Sequence, residues 1–443
     1  VYEGEWGGLW ERNKASAPAS TARARWVHEN LPVIEALSTV LDGETQDRDK
    51  LYDLILLYSE HTAAAGAGWP GNLTKDQTDE SNATVVGWMQ AAEQRTRQML
   101  EDTLADTSGS FVKVFNPSLF DRNVIVEAAV PGDLWQGNEA GGMVLVDLIT
   151  GCPVDCVMLM EPEDEVTVNP WNWTIGAQQH GAKVRFWAFD VPSFGWRTYQ
   201  WRPVDPEDQS ATVITATQKR VVEPEEIVVL QNNSYRLVYD MGIEHLVSLV
   251  DKDADHELVD PNAAYPPFSV LRSTHEDALS GRITEVLRPA LEAAVVLQSP
   301  VDSVLRLSYG VGETIEQMEL VLPRHGRYVE WQMTLNQDNM EYTPYSEHSS
   351  LYYAAFPLEI GGRDLESLQI LVEGPETLVG NDDYLPGANR RSAVVRRTLG
   401  VSAEDYGVLI SPRQAFAATL ETPDYAGVDL PTESIVLFEM IRH

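Results

Sequence analysis

The spacing of apolar residues changes once along this chain, close to Thr107-Ser108-Gly109, and that change restricts the fold more than any other feature. Before it, apolar side chains recur every three or four residues, as on one face of a helix. After it, apolar and polar residues alternate in short stretches that are rich in β-branched and aromatic side chains, which is typical of strands. The sequence therefore predicts an α+β multi-domain protein whose helical part precedes its β-structure.

The N-terminal part contains three amphipathic segments joined by short links. They cover residues 19–43, 45–62 and 79–106, and the first of them includes Pro32, a residue that kinks helices. Each segment places its apolar residues on one stripe. We therefore expect a three-helix bundle, and we assign residues 1–108 to it.

Two β regions follow the helices. Residues 109–205 contain enough strand-like stretches and Pro/Gly turn signals for a small β-sandwich. A polar link at 204–226 then leads to ten further stretches, from SYRLVYD to SIVLFEMI, with few helical patterns between them. We predict that residues 206–443 form a large antiparallel β-supersandwich.

The charge of the chain excludes one class of partner. It has 68 acidic and 32 basic residues, a formal net charge of −36, so it repels phosphate backbones and is not expected to bind nucleic acid. No apolar run approaches the roughly 20 residues of a membrane span, so no membrane partner is expected. Acidic excess with few lysines indicates either a protein adapted to concentrated salt or an ordinary acidic protein. A cytoplasmic location is favoured, although the sequence does not determine the compartment.

The two cysteines, Cys152 and Cys156, lie close together in the stretch GCPVDC. Two are too few for a disulfide framework, and the neighbouring residues offer no partners for a zinc site. We interpret them as two free or locally bridged thiols.

His61 lies where the apolar helical stretch LILLYSEHT meets the glycine-containing segment AAAGAGWPG. A lone histidine at a helix end is either a buried structural residue or a ligand, and its local pattern does not decide between them. Phosphate-binding, dinucleotide-binding, HExxH and GxSxG motifs do not occur in the sequence. Its acidic pairs are common enough to arise by chance, so spacing alone exposes no catalytic carboxylates.

Tryptophan pairs are a second candidate feature. Trp6 and Trp10 lie in the glycine-rich stretch GEWGGLW, and Trp171 and Trp173 lie in NPWNWT. The face of a tryptophan ring packs well against the apolar face of a sugar. The alternative is that these side chains fill a domain interface.

The order of these features resembles glycoside hydrolase family 38, the zinc-dependent retaining α-mannosidases. The resemblance rests on the GEW segment, the helix end LILLYSEHT and the stretch FVKVFNPSLFDR, followed by YRLVYDMGIEHLVSLVDKD, YYAAFP and NDDYLPGANRRSAVVRRTLGVSAEDYGVLIS. It covers the middle and C-terminal parts of the family and most of the 443 residues. It implies that His61 is one zinc ligand and that Trp10, or else Trp6, stacks on the substrate sugar.

The same resemblance implies that part of the enzyme is missing from this sequence. The family's N-terminal α/β domain, which carries the catalytic carboxylates and the other zinc ligands, has no counterpart here. We therefore expect the chain to be inactive alone and to work with that domain, either in the same polypeptide or as a separate chain. The alternatives are a non-catalytic carbohydrate-binding or structural β-sandwich protein, and a homo-oligomer.

Overall fold

The computed structural model describes a large part of the chain. The described residues are 18–40, 48–59, 75–104, 110–130, 143–159, 183–204, 215–275, 281–336, 339–340, 349–360, 369–372, 376–378, 391–395, 397–403, 406–415, 417–423 and 434–442. Within these ranges the protein is mostly β-sheet, preceded by three helices. The β-rich, multi-domain character predicted from the sequence is therefore present.

The three helices are α1 (Pro18–Val40), α2 (Arg48–Ser59) and α3 (Lys75–Leu104). Pro32 lies inside α1, which continues through it. One apolar cluster takes residues from all three helices at helical spacing, which is why the amphipathic pattern was visible in the sequence. Its buried members are Ala24, Trp26, Val27, Leu31, Ile34, Leu51, Ile55, Tyr58, Val85, Met89, Ala92, Met99 and Leu100.

The first β region consists of two four-stranded sheets. Its strands are β1 (Phe111–Asn116), β2 (Arg122–Ala129), β3 (Met143–Asp147), β4 (Pro153–Val154), β5 (Cys156–Leu159), β6 (Lys183–Val191), β7 (Gly195–Pro203) and β8 (Thr215–Ala216). The strand orders are β1-β7-β3-β4 and β2-β6-β5-β8, and of these pairs only β5 with β8 is parallel. Inward-facing side chains of both sheets share one core, as alternation along the strands requires.

The second β region has four antiparallel sheets. Its strands are β9 (Gln218–Val221), β10 (Ile227–Gln231), β11 (Tyr235–Asp240), β12 (His245–Asp251), β13 (His256–Glu257), β14 (Ser269–His275), β15 (Gly281–Val286), β16 (Leu291–Gln298), β17 (Asp302–Tyr309), β18 (Ile315–Pro323), β19 (Glu330–Leu335), β20 (Ser349–Pro357), β21 (Gln369–Val372), β22 (Glu376–Leu378), β23 (Ser392–Val394), β24 (Leu399–Ser402), β25 (Gly407–Ile410), β26 (Ala417–Leu420) and β27 (Ile435–Arg442). The strand orders are β10-β11-β12-β13, β19-β18-β17-β16-β9, β15-β14-β20-β27-β26-β23 and β22-β21-β24-β25.

Aromatic side chains hold two of these sheets together. Phe268, Trp331 and Phe356 meet edge to face, with ring centroids 5.2 to 5.4 Å apart. Trp331 comes from the five-stranded sheet and Phe356 from the six-stranded sheet. Contacts of this geometry are favourable beyond the area that they bury, so the two sheets pack as one unit.

Buried polar contacts join the two β regions. The guanidinium of Arg185 in β6 contacts Glu127 in β2 at 2.7 Å and Asp302 in β17 at 3.0 Å. The indole Nε1 of Trp187 donates a hydrogen bond to the carbonyl oxygen of Val301 over 2.9 Å. These groups are buried, so the contacts are shielded from water and tie β6 to the start of β17.

The sequence prediction and the structure differ at the polar link. The sequence predicts only a polar link at residues 204–226, leading into the second β region. Instead β8 in this segment completes a sheet of the first region by pairing with β5, and β9 pairs with β16 of the second region. Both strands are short, so their local sequence carries little period-2 signal, and their non-local partners decide their conformation. The domain limits 1–108, 109–205 and 206–443 remain predictions.

Within the described ranges, no helix combines the length and the apolar character that crossing a membrane requires. Cys156 is buried and Cys152 is exposed, and the two remain thiols.

Candidate functional site

The residues that the sequence singled out for function lie outside the described ranges. This is true of His61, Trp6 and Trp10, and also of the alternative sugar platform formed by Trp171 and Trp173. The structure therefore leaves their roles as predictions. It does describe the helices to which the first three are attached.

The N-terminus of α1 and the C-terminus of α2 lie side by side. The Thr21 hydroxyl in the first turn of α1 is hydrogen-bonded to the Tyr58 hydroxyl in the last turn of α2, with 2.5 Å between the oxygens. Tyr58 is 3% exposed, and burial raises its pKa to about 12, so its hydroxyl stays protonated. Trp10 precedes the start of α1 by eight residues and His61 follows the end of α2 by two. Along the chain, the two predicted site segments therefore adjoin two helix ends that are in contact with each other.

That part of the helical region contacts the second β region through Arg25. Its guanidinium donates to the backbone carbonyl oxygens of Val395, Pro412 and Arg413, the last two over 3.1 Å. One turn further along α1, Glu29 lies 3.6 Å from Arg397. Because backbone carbonyls are fixed by their strands and turns, this contact sets where the first half of α1 sits on the β-structure.

A zinc ion bound by the described residues alone is not supported. No group of three or more His, Cys, Asp or Glu side chains able to hold a metal occurs among them. Catalytic zinc in proteins takes about three protein ligands, so His61 would need partners from elsewhere. The chemistry of a neutral imidazole suits this ion.

A cavity of about 610 Å³ opens where three sheets of the second β region meet. It lies beside the β11–β12 turn, the start of β14, the segment between β15 and β16, and the adjoining ends of β17 and β18. Its lining combines buried apolar and polar side chains. The lining residues are Tyr239, Gly242, Ile243, Glu244, His245, Pro267, Phe268, Ser269, Val270, Leu287, Arg288, Pro289, Tyr309, Ile315 and Met318.

Charged and titratable side chains concentrate at one side of this cavity. Burial and the positive charge of Arg288 lower the pKa of the half-buried His245, although Glu244 acts in the opposite direction. His245 is therefore a neutral imidazole at pH 7, able to donate at one nitrogen and accept at the other. Burial and the Glu244 carboxylate raise the pKa of Tyr239 and Tyr309 above the usual range, so both remain neutral phenols.

The backbone of this cavity is held in uncommon conformations at two positions. Glu244 has φ 55° and Phe268 has φ 58°, both in the left-handed region that residues with a Cβ rarely adopt. Each flanks another lining residue, His245 and Ser269 respectively. Such strain persists only where the surrounding structure enforces it, and it concentrates at functional sites. The Ser269 hydroxyl is buried and has no hydrogen-bond partner within the described ranges.

Sequence reasoning missed this cavity entirely. Its polar residues are spread over positions 239 to 309, on four separate connections, and they form no spaced motif. One local signal existed: in the turn Met241-Gly242-Ile243-Glu244 between two strongly alternating stretches, an exposed isoleucine stands beside a charged residue. That local feature does not reveal what the other strands contribute to the cavity.

The arrangement of three helices followed by packed β-sheets defines a class of multi-domain, β-rich proteins, and known structures include this arrangement. An alpha-mannosidase from Enterococcus faecalis V583 is similar to this chain, with a TM-score of 0.61 and 10% sequence identity. The similarity covers 98% of this chain and 52% of the mannosidase chain, so the present chain spans about half the length of that protein. No family model matches the chain, and no curated protein matches it in sequence. At this identity the similarity establishes the fold alone.

Proposed function

We propose that this chain is the helical and C-terminal β part of an α-mannosidase-like glycoside hydrolase that cleaves α-mannosides with retention. The observation that carries the proposal is the fold similarity, which extends over nearly the whole chain but over only half of an alpha-mannosidase. The motifs GEW, LILLYSEHT and FVKVFNPSLFDR support the same assignment independently, since they come from sequence rather than from the fold. In this proposal the three units are a three-helix bundle (1–108), a small β-sandwich (109–205) and a β-supersandwich (206–443).

Retaining hydrolysis requires two carboxyl groups, one as nucleophile and one as general acid and base. We assign neither to this chain and place both in an N-terminal α/β domain, carried in the same polypeptide or supplied as a separate chain. A zinc ion, when bound, orients the sugar hydroxyls. His61 would present one imidazole nitrogen to it, and Trp10, or else Trp6, would stack on the sugar ring. The shared end of α1 and α2 supports this grouping, because it attaches both segments at one place.

The test uses the enzyme completed with its N-terminal domain. His61→Ala is expected to remove most bound zinc and most hydrolysis of an aryl α-mannoside. His28→Ala is the matched control, because His28 is an exposed histidine on the neighbouring helix α1 and should leave both quantities unchanged. The zinc content of each purified variant is measured by elemental mass spectrometry. Wild-type zinc content in His61→Ala would rule out the ligand role.

The chain by itself is expected to neither hydrolyse an aryl α-mannoside nor bind zinc tightly, because one histidine cannot hold the ion. Zinc-dependent turnover by the purified chain would contradict the proposal.

A second candidate function is sugar binding without catalysis, and the mixed polar and aromatic cavity of the second β region favours it. Isothermal titration of the chain with mannose and other oligosaccharides separates the two. Affinity that is lost on Trp171→Ala would favour a binding module built on NPWNWT. Light scattering tests the remaining alternative, a homo-oligomer.

A further inference from the structure

We infer that the cavity beside the β11–β12 turn binds one neutral sugar unit. The lining residues that the structure describes all belong to the second β region. The choice of a sugar as ligand rests on the proposed function. The existence and the polarity of the site rest on the cavity itself.

The size of the cavity suits a small molecule. Binding sites for such ligands span about 300–1,000 Å³ and combine an apolar lining with a few placed polar groups. This cavity, of about 610 Å³, has that composition. Its floor includes the buried side chains of Val270, Ile315 and Met318, and its polar groups gather around Glu244 and His245. A ligand with one apolar face and one hydroxylated face matches such a lining.

The charges favour a ligand without net charge. Arg288 and Glu244 both influence His245, so the cation and the carboxylate lie near the same imidazole and offset each other. The imidazole and the phenols of Tyr239 and Tyr309 are neutral. An anionic ligand would in addition meet a chain of net charge −36. A carboxylate and a guanidinium that line one cavity suit a hydroxylated ligand, because one accepts hydrogen bonds and the other donates them.

The cavity wall is built in advance. The Gly242 amide donates to the Asp240 carboxylate over 2.8 Å, and the Met241 amide donates to the Glu226 carbonyl oxygen over 3.0 Å. Across the cavity, the Leu287 amide donates to the Val270 carbonyl oxygen over 2.8 Å. These bonds hold the turn and the β15–β16 connection in place without a ligand. Binding then requires little ordering of the protein.

The experiment titrates the whole 443-residue chain with methyl α-D-mannopyranoside and methyl α-D-glucopyranoside, by saturation-transfer NMR and calorimetry, in the presence of a zinc chelator. Glu244→Gly is expected to weaken binding by about tenfold or more, since it removes a charged hydrogen-bonding group. It should keep or raise the melting temperature, because glycine accepts the φ of 55° without strain.

Glu225→Gly is the matched control. Glu225 is also exposed and also has a positive φ, of 69°, and its Cα lies close to the same turn, but it does not line the cavity. The Glu225→Gly variant loses the same negative charge and the same backbone strain, so it should bind the sugars as the wild type does. Arg288→Gln is a second test variant and should also weaken binding.

Several results would overturn the inference. One is wild-type chain that binds neither methyl glycoside; another is equal weakening by Glu244→Gly and Glu225→Gly. Tighter binding of glucuronate or glucosamine than of the methyl glycosides would contradict a neutral ligand. Failure here is distinguishable from failure of the proposed function, because the comparison of Glu244→Gly with Glu225→Gly tests the cavity, while the His61→Ala enzyme tests zinc and turnover.

Discussion

Arg185 is the position at which one side-chain change should most weaken the junction of the two β regions. In the variant Arg185→Met the apolar stem is largely kept and the guanidinium is lost. Glu127 and Asp302 then remain as two buried carboxylates without their cation. In the wild type the side chains of all three residues are at most 7% exposed, and the guanidinium nitrogens lie 2.7 and 3.0 Å from the two carboxylates.

The size of the expected loss in stability depends on the burial of these charges rather than on the number of their contacts. An intact buried ion pair contributes little net stability, because the removal of both charges from water offsets their attraction. Loss of one partner is different, since the remaining charge keeps its desolvation cost without compensation, and such changes cost about 3–5 kcal/mol. Arg185→Met should therefore lower the free energy of unfolding by about 3–5 kcal/mol, a large part of the 5–15 kcal/mol typical of a folded protein.

The assay is urea-induced unfolding followed by circular dichroism and by tryptophan fluorescence. Arg220→Met is the control: Arg220 also contacts a carboxylate at 2.6 Å, that of Glu226, but its side chain is 53% exposed. Water screens that pair, so the unfolding midpoint should not move. The triple variant Arg185→Met/Glu127→Gln/Asp302→Asn should recover more than half of the loss, because it replaces both stranded charges. Equal midpoints for Arg185→Met and Arg220→Met, or no recovery in the triple variant, would refute this reasoning.

Two further predictions concern buried titratable groups. Burial alone would raise the pKa of Asp147, but hydrogen bonds from the Arg197 guanidinium and the backbone outweigh it and lower the pKa. A lowered folded-state pKa stabilises the protein above the unfolded pKa of about 4, and this is lost as the pH falls through the folded value. Asp147→Asn should thus cost about 2 kcal/mol at pH 7 and less at pH 3 in urea unfolding; an equal loss at both would contradict this. Burial and Asp155 raise the pKa of Cys156 to about 12, whereas Cys152 is exposed. Native chain treated with iodoacetamide at pH 8 should gain a single adduct, at Cys152, by mass spectrometry, and a second adduct would be the contrary result.

The helices and about half of the strands were predictable from the sequence because their signals are local. Leu51, Ile55 and Tyr58 follow helical spacing and are the buried residues of α2. Each of the ten strand-like stretches from SYRLVYD to SIVLFEMI contains a strand of the structure. Apolar residues recur about every 3.6 residues in a helix and every 2 in a strand, so they share the face that packs against a core. This repeat can be recognised without knowing which element covers that face.

The strands of the polar link could not be predicted in the same way. β8 has only two residues, too few for an alternating pattern, and the four residues of β9 are all exposed. Their identity as strands depends on β5 and β16, which lie more than 50 residues away in sequence. The site residues divide similarly. His61 and Trp10 could be proposed from their stretches of sequence, whereas the cavity around His245 and Glu244 could not.

The sequence by itself determined the α+β composition, the position of the change from helices to strands and the segments in which functional side chains were sought. Only the tertiary structure decided which elements meet. It brought the start of α1 and the end of α2 together through Thr21 and Tyr58, and it assembled a partly polar cavity from four distant connections. The physical reason is the sequence distance between the interacting residues. Periodicity depends on neighbouring residues and shows which side of a helix or strand is apolar. The contact between two elements depends on pairing and packing of residues far apart in the chain.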